Sequence, residues 1–331
     1  MSAARNNFDA LRLIGALLVL GSHQFALSGR WEPRVAGDHS FGNLGVLIFF
    51  AVSGFLVTQS WQADPHLGRF AARRALRLMP GLVGVMVVSG VALALLAPSG
   101  FAWREYVLAP WSHQRAPYFP GQAQTLLNGS LWTILVEVKC YILLCVAGAL
   151  ARQHLRTVVA VTSAGLLGWY LLGLGEQAGF DAAAAQGRLS FVPYFGAFFL
   201  LGAALALWPL LQRATGALVA AGVLCFAIGQ PTLGLALVVP PAVVWIGQRS
   251  WPVLREAGRH GDISYGVYLY AWPTQQFVVA ALGASAAYLT LLLPSLAVAL
   301  LLGLASWHLI EARALRHKPR RPFTAPAAAT P

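Results

Sequence analysis

Charge is what this chain has least of. Only 10% of its 331 residues are charged, against about 25% in an ordinary soluble domain. That shortage excludes a water-soluble globule, and the 58% hydrophobic content puts the whole chain in the membrane class. Acidic residues are scarcer still, 11 against 23 basic, for a net charge of +12. An excess of this size raises the question of nucleic acid. The basic residues, however, fall in short loops between apolar runs, with no continuous basic face and no nucleic-acid motif, so no nucleic-acid partner is expected. Cationic loops beside a bilayer are the ordinary orientation signal, and they leave room for an anionic ligand. Cysteine is rare. Cys140, Cys145 and Cys225 all lie in apolar runs with no CxxC or Cys/His metal spacing, so they read as small core residues, no metal is expected, and no redox compartment follows. Lysine is almost missing, with 2 against 21 arginines, which fits a GC-rich bacterial genome. No soluble domain and no internal repeat are visible.

Long apolar runs are what the chain does have. A spanning helix needs roughly 17 to 25 mostly apolar residues. Such runs occur near 8–28, 42–61, 79–97, 130–150, 156–174, 190–208, 214–229, 232–247, 263–282 and 286–309. The seventh and eighth are short, and either could be re-entrant. The first resembles a signal-peptide core, but a chain that spans repeatedly needs a first helix to set its orientation, so it is read as a span. With the N-terminus inside, 16 basic residues fall in inner loops and tails and 5 in outer loops. The expected architecture is therefore an all-α, polytopic membrane bundle of about ten helices with both termini cytoplasmic, in a bacterial cytoplasmic membrane. Residues 1–312 form the membrane domain, and 313–331 form a basic, disordered tail. The longest loop, about 98–129, lies outside as a lid or acceptor platform.

Several ionisable residues sit where lipid makes them expensive, and such residues are functional-site candidates. Arg12 and His23 lie in the first span. Eleven residues is close to three helical turns, so both face one side, ~16 Å apart along the axis. Asp9 is spaced to pair with Arg12. In the second span, "FFAVSGFLV" carries Ser53 and Gly54, read as close packing or as a hydroxyl facing a polar cavity. An inner loop then reads "RFAARRALRLMP", with Arg69, Arg73, Arg74 and Arg77. Arginine forks suit phosphate, so this loop is a candidate site for a nucleotide or headgroup. "NGSLWTILVEVKCY" brings Trp132, Glu137 and Tyr141; Glu137 must be protonated or find a partner, with Arg12 or His23 expected. "GDISYGVYLYAWPTQQ" places Tyr265, Tyr268 and Trp272 on one stripe, with Pro273 expected to kink the helix and open a cavity. "SWHLIEARALR" ends the last span with Glu311, expected to pair with Arg313 or Arg316.

Taken together, these segments resemble the acyltransferase-3 family of integral-membrane acyltransferases over nearly the whole chain. The resemblance rests on Arg12 and His23 with ten residues between them, and on "FFAVSGFLV", "RRALRLMP", "NGSLWTILVE", "SYGVYLYAWP" and "SWHLIE" in that order. It implies a catalytic His23, an essential Arg12, acyl-CoA contacts from Arg74 and Arg77, and further site residues at Ser53, Gly54, Trp132 and Glu137. Many members carry an acidic residue soon after the histidine. Here that stretch is neutral, so Asp38 or Glu137 is the expected acid. Many members also carry a fused extracellular domain, which is not seen here, so the chain resembles a standalone enzyme acting on exopolysaccharide or other surface glycans.

The expected reaction is transfer of an acyl group, acetyl in the first instance, from cytoplasmic acetyl-CoA or another acyl-CoA to a hydroxyl of a glycan or lipid-linked sugar. His23 would be general base, and Arg12 and Glu137 would complete the catalytic set. Arg73, Arg74 and Arg77 would hold the donor. Ser53, Gly54, Trp132, Tyr141, Tyr265 and Tyr268 would line the substrate cavity, with membrane lipids around the bundle. An acyl-histidine intermediate remains open. The rival class is a transporter or flippase of a glycan or anionic substrate; the missing inverted repeat weighs against it.

Overall fold

The structure is a computed structural model that describes residues 6–96, 103–108, 118–171, 191–259 and 261–319. The end of the basic tail and most of the 98–117 stretch lie outside the described residues. A helix occupies each of the ten apolar runs. In chain order they are α1 (Phe8–Leu27), α2 (Phe41–Ala63), α3 (Leu67–Leu96), α4 (Trp132–Leu150), α5 (Leu155–Leu171), α6 (Phe191–Leu207), α7 (Thr215–Ala227), α8 (Pro231–Gly247), α9 (Ser264–Leu282) and α10 (Tyr288–Ser306). By length and composition, five described helices are able to cross a membrane: α1 to α4, and α10 carried on to Leu315. A sixth is added if α8 and Pro252–Gly258, bent by 78° across a short break, make one span.

One element differs from expectation. The arginine segment is not a loop. Helix α3 runs unbroken through Leu67–Leu96 with Pro80 inside it, so Arg69 to Arg77 form its first turns. Alanine, leucine and arginine are strong helix formers, and they carry the helix beyond the apolar run that marked its start.

Caps and turns fix the other ends. Ser40 opens α2, its hydroxyl accepting from the Asn43 amide at 3.2 Å, an ordinary N-cap. Just before it, Arg34–Ala36 and His39–Ser40 pair as a two-stranded antiparallel hairpin. Gly37 turns that hairpin at φ +53°.

Helix α2 is the axis of the bundle. About 78% of its apolar window is buried, and glycines bring two neighbours against it. A Cβ added to Gly45 would lie 2.5 Å from the Gly15 carbonyl oxygen of α1. One added to Gly54 would lie 1.8 Å from the Phe199 oxygen of α6, and one on Gly202 of α6 would lie 2.2 Å from the Ala51 oxygen. Gly54 and Gly202 therefore lock α2 and α6 backbone to backbone, the small-residue packing by which helices associate in lipid. By contrast only 28% of the α10 window is buried, and exposed Leu293 and Leu301 suit it to a lipid-facing rim. Gly54→Ala should separate α2 from α6 at a cost of about 1–3 kcal/mol or more. A lower melting temperature in detergent is the expected result; an unchanged one would mean that the helices absorb a methyl group there.

Candidate active site

Two helices build the site, and they run side by side in the same direction. Arg12 of α1 meets Asp262, just ahead of α9, at 3.0 Å. His23 of α1 meets Trp272 of α9, ring centroids 4.8 Å apart and edge to face. Ten or eleven residues separate the partners on each helix, about 15–16 Å of rise. Arg12 and His23 therefore share one face, as their spacing requires, and that face looks onto α9.

At the Arg12 end the charges compensate one another. Arg12 also reaches Asp9 at 3.5 Å. Arg77 of α3 shares the Asp262 carboxylate at 2.5 Å and lies 3.6 Å from Glu311. Glu311 is buried and accepts from the Ser306 hydroxyl at 2.9 Å. It therefore pairs with Arg77, not with Arg313 or Arg316 as its sequence neighbours implied. Burial alone would raise the Asp262 carboxyl, but the guanidinium groups of Arg77 and Arg12 outweigh it and hold the group below the ordinary carboxylate range. It stays ionised at neutral pH. A second cluster lies at the α2–α3 turn. Arg69 grips Asp64 through two nitrogens at 2.6 and 2.9 Å, and Arg73 adds a third contact at 2.8 Å. The Arg69 hydrogen bonds, with Arg73 behind them, hold the Asp64 carboxyl well below the usual range. Arg74 differs from both neighbours. Its guanidinium lies 5.8 Å from the ring centres of Phe70 and Tyr141, and its Nε, like that of Arg73, is buried with no hydrogen-bond partner among the described residues.

Glu137 occupies the middle. Its Oε1 accepts from the Ser53 hydroxyl at 2.6 Å and the Tyr141 hydroxyl at 2.5 Å, and those two hydroxyls are 2.9 Å apart. Its hydrogen bonds therefore come from Ser53 and Tyr141, not from Arg12 or His23. Beside it lies a cavity of about 40 Å³, lined by Glu137, Thr133, Phe49, Val46, Tyr265 and Tyr268 among others. Its lining is almost wholly apolar. Tyr268 is held by Thr133 at 2.5 Å and the Ser130 carbonyl at 2.9 Å. Tyr265 donates to the Leu78 carbonyl at 2.8 Å and lies beneath Arg77, 5.5 Å from its guanidinium. Trp132 packs on Phe195, centroids 5.5 Å apart. Gly54 belongs to the α2–α6 contact.

The far end is held by α9. The stripe of Tyr265, Tyr268 and Trp272 runs from Arg77 past the cavity to His23. Helix α9 continues through Pro273, and the cavity lies at Tyr265 and Tyr268, before the proline. Proline has no N–H, so the Leu269 carbonyl four residues back loses its helical donor. The Asn128 side chain donates to that carbonyl at 3.3 Å. The Trp272 indole donates to the Leu126 carbonyl at 3.0 Å, which ties the segment before α4 to α9. His23 Nδ1 is buried and has no hydrogen-bond partner among the described residues. Neither expected acid serves it: Asp38 pairs with Arg34 at 2.8 Å on the exposed hairpin, and Glu137 is engaged with Ser53 and Tyr141.

The family model described as an acyltransferase domain matches residues 5–308. The chain belongs to the acyltransferase-3 family. It is 29% identical to an O-acetyl transferase of Shigella phage Sf6 over 331 residues, 94% of this chain and 96% of the relative. It is 32% identical to nodulation protein 10 of Rhizobium leguminosarum bv. viciae over 197 residues, 52% of each chain. No solved structure matches it. Family and fold together make this protein an integral-membrane acyltransferase. The partners Asp262 and Asp64 were missed by sequence reasoning. Both stand one or two residues outside a helix, where an acid next to a helix end draws little notice. The glutamines that follow Trp272 were read past as well.

Proposed function

We propose that this acyltransferase moves an acetyl group from acetyl-CoA to a hydroxyl of a surface or exported glycan, with His23 as general base. The observation that carries this reading is the separation of roles along one line. Basic residues gather at the Arg12 end, an imidazole with an unpartnered nitrogen lies at the other end, and a small, largely apolar cavity beside Glu137 lies between. The O-acetyl transferase name of the phage relative supports the same group.

A thioester is already activated, so the protein needs a base and a place for developing negative charge. His23, as a neutral imidazole with an unpartnered ring nitrogen, is suited to take the acceptor proton. The acceptor oxygen then attacks the thioester carbonyl, the tetrahedral oxyanion collapses, and the ester forms as the coenzyme A thiolate leaves. With the N-terminus inside, the arginine end faces the cytoplasm, where acetyl-CoA is made, and His23 lies toward the glycan.

The ion pairs around the arginines narrow the donor contacts we propose. Arg73 and Arg77 are already held by carboxylates, whereas Arg74 makes no ion pair with a carboxylate among the described residues, so we assign Arg74 to a coenzyme A phosphate. One charge-assisted contact is worth roughly 1.5–3 kcal/mol. Arg74→Ala should therefore raise the acetyl-CoA concentration for half-maximal rate by about 10- to 100-fold. Arg74→Lys should recover only part of it, lacking the planar fork. The test is purified protein in detergent with isotopically labelled acetyl-CoA, together with mass spectrometry of surface glycans from cells with and without the protein. Label in a base-labile glycan ester supports the reading. An unchanged set of glycan masses, or label only in lipid, overturns it.

A further inference from the structure

Three glutamines, Gln24 of α1 and Gln275 and Gln276 of α9, surround the His23 end and are fully buried. Trp272, Gln275 and Gln276 stand at i, i+3 and i+4, one face of α9, and Trp272 touches His23. Gln24 is the next residue after His23, and its Oε1 accepts from Gln275 Nε2 at 3.0 Å. The four polar side chains and the indole are therefore contiguous.

Each amide is half used. Gln275 Nε2 donates to the Leu20 carbonyl at 2.8 Å and to Gln24. Gln276 Nε2 donates to the Gln124 and Leu126 carbonyls, both at 2.7 Å. These oxygen partners fix all three amide orientations, since a flip would set oxygen against oxygen or nitrogen against nitrogen. What remains without a partner among the described residues is Gln275 Oε1, Gln276 Oε1, Gln24 Nε2 and His23 Nδ1. Buried orphan polar atoms are rare because each loses its water without replacement. Four in one contiguous cluster beside the proposed base is an arrangement that a ligand completes.

Their chemistry narrows the ligand. The set holds two amide acceptors, one amide donor and an imidazole nitrogen, all of them neutral groups. Hydroxyls both donate and accept and match such a set. A carboxylate or ammonium ligand would enter with no counter-charge. We infer that Gln24, Gln275 and Gln276 form the acceptor subsite beside His23 and select a neutral sugar through hydroxyls adjacent to the one acylated. This rests on the glycan reading above and names the acceptor class for that site.

The experiment uses the full-length protein in detergent with acetyl-CoA and a panel of methyl glycosides: glucoside, rhamnoside, their monodeoxy analogues and the negatively charged glucuronoside. Ester product, acetyl-CoA hydrolysis and melting temperature are read together. Gln24→Met should raise the glycoside concentration for half-maximal rate by about tenfold or more. It should leave the acetyl-CoA dependence within about twofold and the melting temperature close to the parent's, because an apolar side chain of similar size removes one unsatisfied donor and frees one N–H of Gln275, which keeps the Leu20 carbonyl. In the unmutated protein, a deoxy analogue lacking an adjacent hydroxyl should be rejected by a similar factor, so the inference is tested even if the variant does not fold. An unchanged glycoside dependence, indifference to the deoxy position, or preference for the glucuronoside overturns it. So does a variant that melts earlier yet turns over normally per folded molecule, which would make the amides structural. If the unmutated protein hydrolyses acetyl-CoA and acylates no glycoside, the glycan reading itself fails and the subsite falls with it.

Discussion

His23→Ala is expected to abolish acyl transfer while leaving the protein folded in the membrane. Removing a general base typically costs about 10²- to 10⁴-fold in rate, which in a membrane assay reads as loss of product. The cost to the fold should be small. Among the described residues the imidazole makes no hydrogen bond through Nδ1, and it approaches Trp272 edge to face, a contact worth about 0.5–1.5 kcal/mol. His23→Gln fills most of the space and still carries no base, so it should be as inactive as alanine and closer to the parent in stability. Ester formation per folded molecule, with the amount in the membrane matched by immunoblot, is the measurement. Activity retained above a few per cent in both variants would remove His23 from the chemistry and leave Glu137 as the group to test.

Arg77→Ala should have the opposite signature, loss of the folded protein. Arg77 stands between Asp262 and Glu311, whose side chains are 10% and 1% exposed. Without it Glu311 loses its cation and Asp262 keeps only Arg12. Breaking a buried pair from one side costs about 3–5 kcal/mol because the remaining charge is left uncompensated. The contrast with Arg74→Ala is the informative part, since both arginines lie in one turn of α3. Arg74→Ala should give a folded protein that needs more donor, and Arg77→Ala a protein that elutes as aggregate in size exclusion. Adding Glu311→Gln to Arg77→Ala should restore part of the folded peak by removing one of the unpaired charges. A monodisperse, active Arg77→Ala protein would return Arg77 to the donor site.

The two arginines also show how far residue type and spacing reach. Sequence spacing puts Arg73, Arg74 and Arg77 close together and marks all three for phosphate. It carries no information on the carboxylates that neutralise two of them, because Asp64 comes from the end of α2 and Asp262 from 185 residues beyond Arg77. The same limit explains Glu137 and Glu311. Each was marked correctly as a charge needing compensation and matched to the wrong partner. Glu311 was assigned to the nearest arginines in sequence, and the helices bring a more distant one to it.

What the sequence determined by itself is everything that follows from local pattern. Low charge and ten apolar runs require a membrane-embedded helical chain, since hydrocarbon leaves backbone groups no partner but their own helix. Helical periodicity puts Arg12 and His23 on one face and Tyr265, Tyr268 and Trp272 on another. The order of six short segments was enough to mark the family. The tertiary structure decided which charges remain free. It extended α3 back through the arginines, spent Arg12 and Arg77 on Asp262, gave Glu137 to Ser53 and Tyr141, and left His23 Nδ1, Arg74 Nε and three buried amides unsatisfied. Those outcomes depend on contacts between helices far apart in the chain, set by where glycines such as Gly45, Gly54 and Gly202 let backbones meet, and no periodicity within one helix encodes which neighbour arrives.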